Sequence, residues 1–341
     1  MKPNRVLLII NPVSGKTKSK TALFDILDEL YREDSTTPRS PEGIAALPFS
    51  TATAQPLGGE LCRSRRVTVV PTMYRGHATE LTSHAAEEGY DTVICCGGDG
   101  TLNETISGIL TIPADDRPAL GYVPCGSTND FAVSMGLSAS FREAARVAMG
   151  DHEMRIDTGC FSASNGCENA PRFFSYIASF GVFTAASYST PQAYKNVFGH
   201  AAYILQGIKD LGNIQPRHAR VELPDGTVAE GDYIFGAITN TTSVAGLVRL
   251  PTEQYSMSDG EFEVFLVHNP RTVAELNKII TALMTSDLKE NPLIDFYHAS
   301  SVRITLDEPI AWSLDGEEAL GGPNISVTCL PKSIRIKTDM L

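Results

Sequence analysis

The chain has 341 residues, 42% of them apolar and 20% charged, a balance that fits a globular protein and excludes a disordered, fibrous or membrane-spanning one. Single cores rarely grow past about 250–300 residues, so two domains with a cleft between them are expected. A net charge of −12 argues against a nucleic-acid partner, because phosphate backbones are gripped by clustered Lys and Arg.

Val6–Ile10 is a short unbroken apolar run, the pattern of a strand buried on both faces of a parallel sheet, and Thr21–Tyr31 follows with apolar residues at helical spacing. Residues 32–66 are rich in Pro, Ser, Thr and Gly, lack periodicity and read as a surface excursion. Val67–Val70 then leads through Pro71-Thr72 to a helix over His77–Glu88. Thr92–Cys96 leads through a glycine cluster to a helix over Leu102–Leu110, and Leu120–Val123 leads to the turn Pro124–Ser127. Strands alternating with helices predict a parallel sheet whose ligands bind beyond the carboxyl ends of the strands, where these polar turns fall.

From about residue 155 the texture changes, with turn signals at Asn165-Gly166 and Pro224-Asp225-Gly226. Phe173–Val182, Ala219–Leu223, Tyr233–Ile238, Glu261–His268, Val302–Leu306 and Ile325–Leu330 read as antiparallel strands of a sandwich-like lobe, with one amphipathic helix at Val273–Met284. The fold class is therefore α/β plus β. No apolar run reaches the ~18 residues of a spanning helix, which points to a cytoplasmic protein. The seven cysteines are odd in number and lack paired CxxC spacing, so reduced structural thiols are expected.

The segment richest in chemistry is Gly97-Gly98-Asp99-Gly100-Thr101-Leu102-Asn103-Glu104, set between a buried strand and a helix start. Three glycines in four positions let the backbone approach a phosphate chain and aim N–H groups at its oxygens, at the positive end of the following helix. Asp99 would repel bare phosphate, so magnesium or a basic neighbour must stand between them. Asn11-Pro12-Val13-Ser14-Gly15-Lys16-Thr17 ends the first strand but is not a P-loop, because Ile10 stands where that motif needs glycine. Gly126-Ser127-Thr128-Asn129-Asp130 adds hydroxyls and a carboxylate at the same sheet edge, and it is this convergence of loops that exceeds what ordinary turns require. In the second half, Leu314-Asp315-Gly316-Glu317 presents two carboxylates two residues apart at a glycine turn. One could accept a proton from a hydroxyl, since the loose transition state of phosphoryl transfer asks more for orientation than for early proton removal.

Together these motifs resemble the diacylglycerol kinase catalytic-domain family, in its soluble bacterial branch of DgkB- and YegS-like lipid kinases, to which sphingosine and ceramide kinases are related. Asn11–Lys16 is similar to the family's first nucleotide loop, Thr72 with Gly76-His77-Ala78 to its second, Gly97–Glu104 to its GGDGT motif and Gly126–Asp130 to its G-T-x-N-D segment. The likeness continues through Thr190-Pro191, Ala202–Leu211, Asn240–Leu250 and Ser258–Phe262 to Asp315-Gly316-Glu317.

The resemblance implies an NAD kinase/diacylglycerol kinase-like fold, with a nucleotide-binding domain over residues 1–133, joined by 331–341, and a β-rich lipid-substrate domain over 134–330. It implies that Asn11, Pro12, Val13, Ser14, Gly15, Thr72, Gly97, Gly98, Asp99, Gly100, Thr101, Leu102, Asn103, Glu104 and Ser127 line an ATP site, with Lys16, Asp99 and Asp130 as a charge network beside the phosphates. Asp315 becomes the proton acceptor with Glu317 beside it, and Ser256, Asp259 and Glu261 match a segment that binds a supporting Mg²⁺. The acceptor becomes a lipid hydroxyl, that of diacylglycerol or a similar amphiphile, reached by peripheral contact with a membrane. Family members are often dimers, but no interface signature marks this sequence. Departures are Ser127 for the usual threonine, Gly246-Leu247-Val248-Arg249-Leu250 where many members have a glycine pair, and the 32–66 insertion. The competing readings are a kinase of a soluble acceptor such as NAD, and a catalytically silent lipid-binding protein.

Overall fold

The structure is a computed structural model that describes residues 5–30, 66–127, 129–164, 171–181, 215–241, 243–244, 248–249, 256–285 and 288–339. The 32–65 excursion, Thr190-Pro191, Ala202–Leu211 and most of 242–255 lie outside the described residues.

Strands β1 (Arg5–Ile10), β2 (Arg66–Pro71), β3 (Thr92–Gly97) and β4 (Ala119–Pro124) pair in parallel in the order β2-β1-β3-β4. β3 and β4 are buried throughout and β1 nearly so, which is why their sequences run apolar without alternation. Alternate residues still serve different cores. Val6, Leu8 and Ile10 join Ile94, Cys96 and Val123 under Ala144, Ala145 and Ala148, while Leu7, Ile9 and Val93 pack on the opposite side against Ala78 and Ala85. Helices α1 (Lys18–Leu30), α2 (His77–Ser83), α3 (Asp99–Leu110), α4 (Asp130–Ser134) and α5 (Phe141–Ala148) complete this part.

The helix anticipated to Glu88 ends at Ser83. Thr82 and Ser83 turn their hydroxyls back onto the carbonyls of Ala78 and Glu80, at 2.7 and 2.8 Å, and the chain then closes tighter turns up to Gly89 at φ 76°. Conversely, α3 begins at Asp99 rather than Leu102, so Gly97 ends β3, Gly98 caps the helix, and Asp99 and Gly100 open its first turn.

The second half is β5 (Glu153–Ser164), β6 (Arg172–Phe174), β7 (Ile177–Gly181), β8 (Arg217–Glu222), β9 (Val228–Thr239), a small pair β10 (Ser243–Val244) and β11 (Val248–Arg249), β12 (Phe262–His268), α6 (Val273–Thr285), β13 (Ile294–Ala299), β14 (Ser301–Leu306), β15 (Ala311–Leu314), β16 (Glu317–Leu320) and β17 (Asn324–Lys337). Among the described residues of this half, every strand pairing apart from β17–β4 is antiparallel. The ladder is nevertheless continuous through the molecule, in the order β16-β15-β7-β9-β8-β14-β17-β4-β3-β1-β2. β17 makes the junction: it runs antiparallel to β5 and β14, and Ile336 pairs in parallel with Leu120 of β4.

β17 carries an irregularity between Leu330 and Ile334, where Lys332 adopts φ 50°. The fully buried Asp157 closes it. Its Oδ1 accepts the Lys332 N–H at 2.5 Å and its Oδ2 accepts the Gly260 N–H at 2.6 Å, while its own N–H donates to the Met257 carbonyl at 2.8 Å. Removing this carboxylate would leave the Gly260 and Lys332 N–H groups without their acceptor. Asp157→Ala is expected to lower the unfolding free energy by about 2–4 kcal/mol, read from urea denaturation midpoints at unchanged slope.

Candidate active site

The turns that end β1, β3 and β4 interlock at the carboxyl edge of the parallel sheet. The Asn11 N–H donates to the Cys96 carbonyl at 2.9 Å, its side-chain oxygen accepts the Val13 N–H at 3.1 Å, and its Nδ2 donates to Thr101 Oγ1 at 2.9 Å. Ser14 Oγ accepts the Gly98 N–H at 2.9 Å. Gly15 sits at φ 54°, where a Cβ would come within 2.0 Å of the Cys125 carbonyl oxygen, so glycine is demanded there both by conformation and by space. Gly98 and Gly126 are also in close approach: a Cβ on Gly126 would lie 2.7 Å from the Gly98 Cα. The Gly126 N–H in turn donates to Asn129 Oδ1 at 2.8 Å, and Thr72 is tied in by its N–H to the Ile10 carbonyl at 2.8 Å.

Within this edge the first turn of α3, Asp99-Gly100-Thr101, presents N–H groups that have no acceptor within their own helix, the arrangement that suits a phosphate. Glu104, one turn on, takes the Gly76 N–H at 2.8 Å and the Ala78 N–H at 3.3 Å, and so caps α2 rather than facing the glycine turn. Leu102 is fully buried in the core with Ile106 and Tyr122, so its side chain packs inward and does not line the turn. Val13 is 72% exposed, Ser127 is exposed, and the Lys16 side chain lies outside the described part of the structure.

Asp315 crosses from the second half to meet this edge. It follows β15 at φ 51°, is 3% exposed, and receives five donors: Asn103 Nδ2 at 2.8 Å, the Ser175 N–H at 2.6 Å and the Ser175 hydroxyl at 2.7 Å on Oδ2, and the Tyr176 and Ile177 N–H groups, both at 3.0 Å, on Oδ1. These bonds break the anticipated strand Phe173–Val182 into β6 and β7, because the N–H groups of residues 175–177 turn to the carboxylate. Burial pushes the Asp315 carboxyl above the ordinary aspartate range, and the donors from Ser175, Ile177 and Tyr176 oppose that rise. Asn103, on α3, also donates to the Phe173 carbonyl at 3.0 Å, so its amide spans the two halves and does not lie open to a nucleotide. Glu317 stands over the same helix start: its Oε1 would be 3.2 Å from a Cβ on Gly100, and its Oε2 pairs with Arg75 Nη2 at 2.5 Å. Ser175 and Arg75 carry no signal of their own in the sequence, since both meet their partners across more than a hundred residues, although Arg75 directly precedes Gly76-His77-Ala78.

Burial and then the neighbouring Asp99 carboxylate push Asp130 up to about 7. Two oxygen donors that repel each other in this way fit a magnesium ion, which commonly takes one or two carboxylates and completes its shell with water and phosphate. Ser256, Asp259 and Glu261 lie on an exposed turn before β12, where Asp259 Oδ1 accepts the Glu261 N–H at 3.1 Å. Register places Glu263 opposite Thr239 and Thr239 opposite Ile177, so the acidic turn and Asp315 share one end of the sheet with β9 and β7 between them. Among the described residues, no three His, Cys, Asp or Glu side chains converge to hold a metal by themselves. A cavity of about 500 Å³ lined by Leu223, Thr227, Arg303 and Thr328 includes none of these site residues.

The position of Asp130 has a pH signature. A carboxyl raised from 3.8 to about 7 holds its proton more tightly folded than unfolded, so its contribution opposes folding increasingly as pH rises through that window. Asp130→Asn removes the effect. In the presence of a chelator, the melting temperature of the variant relative to the original protein is expected to rise from about pH 4 to about pH 8; a constant difference would show that burial and Asp99 do not raise the Asp130 carboxyl.

Two family models match the chain: the diacylglycerol kinase catalytic domain over residues 57–161, and the YegS C-terminal NAD kinase beta sandwich-like domain over residues 177–338. A diacylglycerol kinase of Bacillus subtilis is 31% identical over 247 residues, covering 72% of this chain and 77% of its own. One from Staphylococcus saprophyticus is 28% identical over 313 residues, covering 92% and 88%. A crystal structure of a Bacillus anthracis protein described as a diacylglycerol kinase superposes with a TM-score of 0.73 at 23% identity, over 99% of this chain and 96% of that one, a likeness of fold. The interlocked glycine turns, the carboxylate that reaches them from the second half, and these relatives lead to one conclusion: the chain belongs to the diacylglycerol kinase family and is a phosphotransferase with a hydroxyl group as acceptor.

Proposed function

We propose that the protein transfers the terminal phosphate of ATP to the hydroxyl of diacylglycerol or a similar lipid, with Mg²⁺ as cofactor. The observation that carries this reading is the Asp315–Asn103 bond of 2.8 Å, which fixes a buried carboxylate of the second half onto the helix that begins at the glycine turn. The triphosphate lies along the turns of Asn11–Gly15, Gly97–Thr101 and Gly126-Ser127, with the N–H groups of the first turn of α3 toward its oxygens. Asp99 and Asp130 would hold the magnesium ion, which supplies charge neutralisation at the phosphates when bound.

A carboxylate offers about four lone-pair directions, and Asp315 already meets five donors. An acceptor hydroxyl therefore takes the place of one of them. The Ser175 hydroxyl is the donor free to rotate, whereas the three N–H groups are fixed in backbone. With the alcohol O–H on Oδ2, its oxygen forms the new bond to the terminal phosphorus, the bond from that phosphorus to the bridging oxygen breaks, and the proton passes to Asp315. The upward push of burial on this carboxyl makes it a stronger proton acceptor than an exposed aspartate.

The lipid is reached at a membrane surface. No described helix is long and apolar enough to cross a membrane, while Val13 and Met73, at 72% and 76% exposure on the turns after β1 and β2, offer apolar contacts beside the site.

The test gives purified protein labelled ATP, Mg²⁺ and an acceptor panel of diacylglycerol and a sphingoid base in mixed micelles, with NAD as the soluble arm. Label is expected in diacylglycerol. Label only in NAD replaces the lipid reading, and no label in any acceptor removes it. Asp315→Asn is expected to lower kcat by about 100- to 10,000-fold with nucleotide affinity held within about threefold, and retained turnover would take the proton-accepting role from Asp315.

A further inference from the structure

Among the described residues, Arg75 is a cation at the site beyond the groups assigned to the transfer. Arg75 lies in the turn between β2 and α2, and that turn is fastened at both ends. On one side the Thr72 N–H is bonded to the Ile10 carbonyl at 2.8 Å, and the Met73 N–H to His77 Nδ1 at 3.1 Å. On the other, Glu104 of α3 holds the Gly76 and Ala78 N–H groups, and Thr79 Oγ1 donates to the Glu104 carbonyl at 2.9 Å. The backbone that carries Arg75 is thus anchored to the same helix whose first turn is the glycine motif.

From this anchor the guanidinium reaches across to Glu317 Oε2 at 2.5 Å, and the other oxygen of Glu317 stands 3.2 Å from the Cβ position of Gly100. The pair therefore sits directly over the start of α3. Its surroundings are strongly acidic, with Asp99, Asp130, Asp315 and Glu317 all at this edge, and a triphosphate brought there needs positive charge within reach. Among the described arginines and lysines, Arg75 is the one that pairs with a carboxylate of this set. A guanidinium has five donors, and the bond to Glu317 uses Nη2, leaving the other edge of the fork for phosphoryl oxygens. With the Arg75 side chain 74% exposed, the pair with Glu317 adds little to stability, so its geometry is better accounted for by orientation than by folding.

We infer that Arg75 is a catalytic residue that contacts the transferred phosphate, and that Glu317 positions its guanidinium over the first turn of α3. This rests on the reading of the protein as an ATP-dependent kinase. Charge that builds on the phosphoryl oxygens in the transition state is met by a donor already in place, so the contribution falls on turnover more than on acceptor binding.

Two measurements on the full chain test it. The first is the ratio of ATP to ADP affinity, by displacement of a fluorescent nucleotide, which needs no acceptor. Arg75→Ala is expected to weaken ATP about tenfold relative to ADP, since only ATP carries the terminal phosphate. The second is turnover with the best acceptor of the panel. There Arg75→Ala is expected to lower kcat about 100-fold with the acceptor KM unchanged, Arg75→Lys to recover part of it, and added guanidinium ion to restore activity to Arg75→Ala while leaving the original protein unaffected. Glu317→Gln is expected to cost about tenfold in kcat with the ATP to ADP ratio nearly kept. An unchanged affinity ratio together with kcat within about threefold in Arg75→Ala overturns the assignment and leaves the kinase reading standing. A shifted ratio in a protein that labels no acceptor supports Arg75 and sinks the acceptor instead, and a protein that binds neither nucleotide sinks both.

Discussion

The buried carboxylate of Asp315 is the contact on which the arrangement of the two halves depends. Its five donors come from α3, from the segment between β6 and β7 and from the hydroxyl of Ser175, so one side chain ties the glycine-turn helix to the antiparallel strands. A charge that deep is costly unless its lone pairs are filled, and the protein fills them at the expense of a continuous strand. The same constraint shapes the hairpin: Asp315 adopts φ 51° and Gly316 φ 86°, which turns β15 into β16 and sets Glu317 above Gly100. Site geometry and fold are here the same set of bonds.

Asp157 repeats the device where β17 is irregular. It too is a buried aspartate that collects backbone N–H groups from distant segments, those of Gly260 and Lys332, yet it has no place in the chemistry. The comparison separates two uses of one physical motif. At Asp157 the donors are all backbone and fixed, whereas at Asp315 two of five are side chains able to yield to another partner.

Much of the parallel part was legible because its strands are buried on both faces and punctuated by glycine turns, so that Thr92–Cys96 followed by Gly97-Gly98-Asp99-Gly100 could be read locally. What escaped was non-local. β5 carries the buried Asp157 and Thr158 within its sequence, which hides it as a strand, and its pairing is with β17, from Asn324 opposite Ser164 to Lys337 opposite Glu153, about half the chain away. β13 alternates weakly, since Asp295, Phe296 and Tyr297 are half-buried in succession and the Asp295 carboxylate is taken by the Tyr233 hydroxyl. Leu102 and Glu104 were grouped with the nucleotide loop by motif, but helical periodicity turns the first into the core and gives the second to the α2 cap. Ser175 and Arg75 act through partners 140 and 242 residues away, a separation that no local pattern encodes.

The place of β17 bears on how the polypeptide acquires its structure during synthesis. It is the last described strand to leave the ribosome, yet it lies in the interior of the sheet between β14 and β4. Until it arrives, β4 has a partner on one side alone, and its other edge offers open N–H and carbonyl groups that invite pairing with a neighbouring nascent chain. The parallel strands can collapse early, but their sheet is closed only by residues translated some two hundred positions later. Assembly is therefore dominated by contacts distant in sequence, which slows it and makes shielding of the β4 edge the step on which yield depends.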